Sequence, residues 1–322
     1  MSKLKVGIYW AAACGGCDVA ILDIHEKVLA VNDACEFLIW PLAMDFKYAD
    51  AEALPDGQID LMLFNGAIRN SENLHLARLL RRKSKVLVAF GSCAHTGGIP
   101  ALANLFSKEE IFHRAYVESP STVNPERFFP TPKVTVPEGE LELPEFFNKV
   151  FSLDQVVDVD YYVPGCPPNP ERIWEVLEAV VSGATLPPPG AVLGASEKSL
   201  CDTCERTKSE EKIITGFRRM ATTIPDPEVC FLDQGIVCLG PVTRDGCGQQ
   251  CVGASSMPCR GCYGLPPGIE DQGAGMIASL GSLLGQGGDE ELRRIVATLP
   301  DPAGTFYRFS LSTSLLERRK DR

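Results

Sequence analysis

The run Lys5-Val6-Gly7-Ile8-Tyr9 is strand-like, and it gives way within a few residues to Cys14-Gly15-Gly16-Cys17, two cysteines separated by two glycines. An apolar strand opening into a glycine loop and then a helical pattern is the first unit of a parallel, helix-covered sheet. Further strands are expected at Glu36–Trp40, Leu61–Asn65, Lys85–Phe90 and Val157–Val163. Helical patterns fall between them at Val19–Ala30 and Glu72–Arg82, and after them at Pro170–Val181. In the last, Pro170 suits a first helical turn, and Ile173, Trp174, Leu177 and Val180 share one face. The alternation predicts an α/β fold with a doubly wound parallel sheet. Such sheets gather ligands beyond the carboxyl ends of their strands. Cys14 and Cys17 follow the first strand, Cys93 the fourth and Cys166 the fifth, so cysteines from separate loops are expected to converge on one sheet edge.

The 322 residues are too many for one comfortable compact domain, and a single small stapled scaffold is excluded. Apolar residues at 45% and charged ones at 23% supply an ordinary core and exclude wholesale disorder. A formal charge of -11 repels phosphate backbones, which argues against a nucleic-acid partner. The most apolar late stretch, from Gly273 to Gly288, is broken by glycines and ends at Asp289-Glu290-Glu291, so no membrane span is expected. Met1-Ser2-Lys3 leads straight into the first strand with neither a signal-peptide core nor a twin-arginine leader, which predicts a cytoplasmic protein.

Thirteen cysteines are the anomaly. In a reducing compartment they persist as thiols unless a metal takes them, so metal binding is the default reading. With Cys35 set aside as a buried apolar residue, twelve remain, and eight of these crowd between Cys201 and Cys262. Their order is Cys201, Cys204, Cys230, Cys238, then Cys247, Cys251, Cys259, Cys262. Thiolates spaced two apart suit zinc or iron-sulfur clusters. The first of these quartets lacks the second tight pair of a zinc ribbon, which favours a larger cubane; two zinc knuckles are the bland alternative. Division by chain order is the simplest partition, since cluster ligands sometimes cross between sites. The stiff run Leu186-Pro187-Pro188-Pro189-Gly190 marks a boundary between a domain at 1–185 and a cysteine-rich, irregular module at 191–322. Within the first domain, the proline-studded stretch Ser119–Pro144 is expected to make a surface excursion.

The segments Cys14-Gly15-Gly16-Cys17, Gly91-Ser92-Cys93-Ala94-His95-Thr96-Gly97-Gly98 and Gly165-Cys166-Pro167-Pro168-Asn169-Pro170 resemble the ligand motifs of nickel-iron hydrogenase small subunits. The match is to the cytoplasmic, methyl-viologen-reducing type associated with heterodisulfide reductase. The resemblance implies a flavodoxin-like domain in which Cys14, Cys17, Cys93 and Cys166 hold a proximal 4Fe-4S cluster. It further implies a distal 4Fe-4S cluster on Cys201, Cys204, Cys230 and Cys238, and a medial one on Cys247, Cys251, Cys259 and Cys262. The nickel-iron centre would lie on a separate large subunit, where hydrogen is split. Electrons would leave for a small iron-sulfur protein and a heterodisulfide-reductase-like complex. This chain would then be an oxidoreductase subunit with no catalytic side chain of its own. Two readings stand beside it: a complex-I-like relay without hydrogenase activity, and a zinc-stabilised interaction module.

Other residues read as structural. His95 reads as a hydrogen-bonded loop histidine, Asp18 as a helix cap, His25, His75 and His113 as helix-associated, and Arg218 and Arg219 as surface arginines.

Overall fold

The computed structural model describes residues 3–211, 213–284 and 288–316. Its strands are β1 (Leu4–Trp10), β2 (Cys35–Ile39), β3 (Ile59–Asn65), β4 (Ile68–Asn70), β5 (Ser84–Phe90), β6 (Lys133–Val136), β7 (Gly139–Glu142), β8 (Phe146–Phe151) and β9 (Tyr161–Val163). The main sheet has the order β2-β1-β3-β5-β9 and every pairing in it is parallel. Ranked by chain order within the sheet, this is the 2-1-3-4-5 arrangement of flavodoxin-like folds, whose direction switches between β1 and β3.

The strands read as continuous apolar runs because helices cover both faces. On one face Val6, Ile8, Leu61, Leu63, Val88 and Phe90 pack with Ile21, Val31, Ile173 and Leu177. These last come from α1 (Gly16–Leu22), α2 (Lys27–Ala34) and α7 (Pro170–Val181). On the other face Met62, Phe64, Leu87 and Ala89 meet Ala51 of α3 (Tyr48–Ala53) and Leu76, Leu79 and Leu80 of α4 (Ser71–Lys83). Both long helices are capped as their sequences allow: Asn70 Oδ1 accepts from the Asn73 amide at 2.8 Å, and Asn169 Oδ1 accepts from the Glu171 amide at 2.8 Å, ahead of Pro170.

Two elements differ from the sequence reading. The helix expected over Val19–Ala30 is two helices, broken by a turn at 23–26 in which His25 takes a positive φ of 59°. Ile24 stays buried through the turn, which is why the apolar spacing looked unbroken. The strand expected from Val157 begins only at Tyr161. Asp160 already bonds Leu87 through its backbone N–H, but its carboxylate accepts from the Leu87 amide at 2.7 Å and from Arg81, taking the place a ladder carbonyl would hold.

The proline-studded excursion holds α6 (Lys108–Tyr116) at its entry, the β6–β7 hairpin, and β8 returning antiparallel to β4. Helix α5 (Ser92–Thr96) follows β5. Beyond the proline run lie α8 (Leu200–Thr203), α9 (Gln272–Gly281), α10 (Asp289–Ala297) and α11 (Pro302–Phe306), joined by irregular turns. α9 arises from the glycine-broken stretch, capped by Asp271 Oδ1 accepting from the Ala274 amide at 2.7 Å. The second half docks firmly on the first. Ala67, Ala101 and Val150 share one buried cluster with Leu200, Phe231, Leu239, Met276 and Phe306. Thr96 Oγ1 donates to the Phe309 carbonyl at 2.6 Å, and Ser312 Oγ to the Val150 carbonyl at 2.8 Å. Among the described residues no helix is long and apolar enough to cross a membrane.

Candidate metal centres

The segments after β1, β5 and β9 bring Cys14, Cys17, Cys93 and Cys166 near one another, Cys17 from α1 and Cys93 from α5. Cys17 and Cys93 are each 8% exposed, whereas Cys14 and Cys166 reach the surface. Burial pushes the Cys17 thiol well up, and the charges of Cys93, Cys166, Asp18 and Cys14 add to the rise. Burial likewise takes Cys93 to about 12, helped by Cys166 and Cys14 and opposed by the Ile99 amide on its sulfur. Thiols brought this close favour a shared cationic group, which stabilises their thiolate forms. The backbone comes close on every side. Gly91, with φ of 85°, lies against the Cys17 sulfur so tightly that a Cβ there would collide with it. The Gly16 amide donates to Cys14 Sγ at 3.4 Å.

Cys201 of α8, Cys204 just after it, Cys230 and Cys238 form a second group. Burial takes Cys201 to about 12, with Cys238, Cys230 and Cys204 raising it and Lys208 opposing. Cys238 is pushed up to about 11 by burial, while the Gly240 and Cys259 amides on its sulfur hold it down. A Cβ at Gly240 would stand 3.0 Å from Cys201 Sγ and 3.6 Å from Cys238 Sγ, so bare backbone closes this site too.

The third group joins Cys247, Cys251, Cys259 and Cys262. Burial drives Cys262 to about 12, with Cys251, Cys166 and Cys247 contributing. Burial also raises Cys259, followed by the charges of Cys238 and Cys262. Amides of Gln249 and Gln250 face Cys247 Sγ, and that of Gly261 faces Cys259 Sγ. Hydrogen bonds of this kind to thiolate sulfur tune a bound cluster.

The contacts between groups give the spatial order. The Cys166 amide faces Cys262 Sγ, and Ser92 Oγ donates to the Cys262 carbonyl at 2.6 Å. Asn169 Nδ2 donates to the Cys247 carbonyl at 3.2 Å. On the opposite side the Cys259 amide donates to Cys238 Sγ at 3.3 Å. The quartet that comes last in the chain therefore sits between the other two. Arg260 lies within electrostatic reach of Cys238, Cys259 and Cys251, a cation shared by two quartets that sequence reading passed over. A cavity of about 770 Å³ opens beside Cys166, Cys247, Cys251 and Cys262 and runs to Asp23, His25 and Lys27.

Among the residues read as structural, two differ from expectation. Asp18 does not occupy the N-cap, which is Gly15: it is 1% exposed, its carboxylate meets its own backbone amide, and it accepts from Trp40 Nε1 at 3.0 Å and from Asn65 Nδ2. Burial raises its pKa, and those two donors partly restore it. Asp18→Asn keeps one acceptor oxygen and sets an amide N–H against the other donor, so a loss of about 1–3 kcal/mol is expected, read as a lower urea midpoint. His95 is in α5 and not a loop; its ring is buried against Tyr162 with centroids 4.7 Å apart, and its Nδ1 has no hydrogen-bond partner among the described residues. Burial, then Arg244, lowers its pKa to about 4, so it is neutral at pH 7. Cys35 is a buried thiol in the sheet core, as expected. His75 and His113 face Glu52 and Glu118 on helix surfaces, and Arg218 and Arg219 are not buried.

The family described as NADH ubiquinone oxidoreductase, 20 Kd subunit, matches residues 14–180, which contain the first quartet. The iron-sulfur subunit of the F420-non-reducing hydrogenase of Archaeoglobus profundus is 41% identical over 322 residues, spanning 98% of this chain and 98% of that protein. The chain belongs to the hydrogenase small-subunit family, of the F420-non-reducing type. This hydrogenase subunit is also 36% identical over 318 residues to an F420-non-reducing hydrogenase subunit of Methanothermobacter thermautotrophicus, spanning 98% of this chain and 96% of that one. A chain in the crystal structure of an NAD+-reducing NiFe hydrogenase, H2-reduced, superposes with a TM-score of 0.50 at 31% identity, covering 59% of the hydrogenase subunit and 97% of the other chain. The subunit is thus part of an oxidoreductase, and its family implies a large-subunit partner.

Proposed function

We propose that this chain is the electron-relaying small subunit of a nickel-iron hydrogenase and carries three 4Fe-4S clusters. The domain at 1–185 would hold the proximal cluster on Cys14, Cys17, Cys93 and Cys166. The module at 191–322 would hold the medial cluster on Cys247, Cys251, Cys259 and Cys262, and the distal one on Cys201, Cys204, Cys230 and Cys238. The observation that carries this reading is the linear contact series, Cys166 to Cys262 and Cys259 to Cys238, joining three thiol quartets. When bound, such clusters accept and pass on single electrons. The protein's own part is to hold the thiolates, aim amides at their sulfurs and exclude water from the buried members of each set.

Zinc fits less well. Zinc ribbons close on a second tight pair of cysteines, and the quartet Cys201, Cys204, Cys230 and Cys238 has none, with seven residues between its last two members. A complex-I-like relay also fits less well, because the eight later cysteines lie beyond the 14–180 match while whole-length relatives are hydrogenase subunits. The nickel-iron centre belongs on the large subunit, and the acceptor is a small iron-sulfur protein leading to a heterodisulfide-reductase-like complex in the cytoplasm.

The test is anaerobic co-purification with the large subunit, followed by metal and sulfide analysis and a hydrogen-dependent viologen assay. Three cubanes predict about twelve irons and as many acid-labile sulfides on this chain. A stable complex that carries zinc in the quartets, or that reduces no dye under hydrogen, overturns the proposal.

A further inference from the structure

Arg206 stands two residues after Cys204, and only 8% of it is exposed. Its backbone belongs with the group of Cys204 and Cys230: the neighbouring Thr207 amide donates to the Glu228 carbonyl, and the Thr207 carbonyl accepts from the Cys230 amide, each at 2.8 Å. The side chain reaches both ways. On the near side Nη1 donates to the carbonyls of Asp226 at 2.8 Å and Val229 at 3.0 Å, just ahead of Cys230. On the far side Nε donates to the carbonyl of Val252, directly after Cys251, at 3.0 Å, and Nη2 donates to Ser256 Oγ at 2.9 Å. The guanidinium carbon lies 4.0 Å from the centroid of the Phe231 ring, which helps to hold the fork in place. Four bonds from one rigid group therefore clamp the 226–231 segment to the 251–256 segment. The bond from the Cys259 amide to Cys238 Sγ joins the same two cysteine groups at another point. One tie leaves two loops free to pivot, whereas two ties at separate points fix both distance and orientation.

We propose that Arg206 is a positioning residue that sets the separation between the group held by Cys201, Cys204, Cys230 and Cys238 and the group held by Cys247, Cys251, Cys259 and Cys262. The proposal rests on the cluster reading above. A centre is held only as precisely as the shell that supports its ligands. Electron transfer falls steeply with the gap between two centres, so slackening these loops slows the medial-to-distal step even when every ligand is kept.

The experiment uses the complete complex with the large subunit, as wild type, Arg206→Lys and Arg206→Met. Lysine keeps the charge and loses the fork; methionine keeps an apolar stem and loses both. Iron and acid-labile sulfide are measured first. The fully reduced complex is then read by electron paramagnetic resonance for the magnetic splitting between medial and distal centres, assigned by its change in Cys201→Ser. Wild type should show one resolved splitting. In both variants, with iron and sulfide complete, that resolved splitting should be lost to a broad distribution, and freeze-quenched reduction of the distal centre after hydrogen addition should slow while the proximal centre keeps its rate. A residue that only stabilises the fold would lower the thermal midpoint and leave the splitting intact in fully loaded complex, and that result overturns the proposal. So does a wild-type splitting in Arg206→Lys alone, since the charge and not the clamp would then be acting. A broad splitting in wild type overturns it without any variant. Should neither variant assemble, Ser256→Ala, which deletes one far-side partner, must broaden the same splitting, and an unchanged splitting there overturns the proposal. Failure of the cluster reading is seen separately, as missing iron and sulfide in wild type.

Discussion

Cys93→Ser is expected to remove about a third of the iron and acid-labile sulfide from this chain and to bring hydrogen-dependent dye reduction down to background. Cys93 is 8% exposed and lies in the first turn of α5, where neighbouring Ser92 also holds the loop of Cys262 through its carbonyl. A serine oxygen is a hard donor and a weak acid, poorly matched to iron that three soft thiolates still hold. Loss of the proximal group should interrupt transfer at its first step while leaving the large subunit's own chemistry intact. Hydrogen/deuterium exchange by the assembled complex should therefore persist while viologen reduction vanishes. Full iron content with undiminished dye reduction would show that Cys93 is not a ligand. Cys201→Ser should behave differently: delivery to the natural acceptor should fall, with hydrogen/deuterium exchange unaffected. Loss of that exchange in an assembled complex would contradict the distal placement.

Gly91→Ala should be nearly as damaging although it alters no donor atom. Gly91 has φ of 85° and sits between the end of β5 and α5, with its hydrogen facing the Cys17 sulfur. An alanine there meets two penalties. The backbone at φ 85°, ψ 163° lies in a region essentially reserved for glycine and costs about 1–3 kcal/mol with a side chain present, and forcing a methyl group into packed surroundings costs about 1–3 kcal/mol. The sum, about 2–6 kcal/mol, falls on the loop that also forms the Gly91 amide bond to the Val163 carbonyl at 2.7 Å. The expected outcome is a lower thermal midpoint together with loss of proximal iron, measured by scanning calorimetry and metal analysis on the same sample. Gly183→Ala is the control, since it has a comparable φ of 71° and open space around its Cβ; it should show only the backbone cost and retain its iron. Equal effects from the two substitutions would show that close approach to Cys17 is unimportant.

The sheet strands and the helix Pro170–Val181 were legible because each is long, apolar and bounded by glycine, proline or capping residues that act locally. The break at 23–26 was not, since Ile24 keeps the helical apolar spacing while the backbone turns around it. The late start of β9 was equally hidden, because Asp160 reads as an ordinary polar residue until its carboxylate is seen standing in for a carbonyl against Leu87. Asp18 looked like a cap for a similar reason. Its acceptors face donors from Trp40 and Asn65, remote in the chain and brought in only by the sheet.

The sequence by itself determined the proposed donor set: twelve cysteines, eight of them in two chain-local quartets and four from the segments after three strands, with glycines and prolines beside many of them. Those features depend on neighbours a few residues away, so spacing reveals them. Only the tertiary structure decided the order in space. Cys247–Cys262 comes last of the quartets in the chain yet lies between the others, because Cys262 packs on the loop of Cys166 and Cys259 bonds Cys238. Electron transfer depends on proximity through space, and that proximity is created by docking the second module onto the sheet's carboxyl edge.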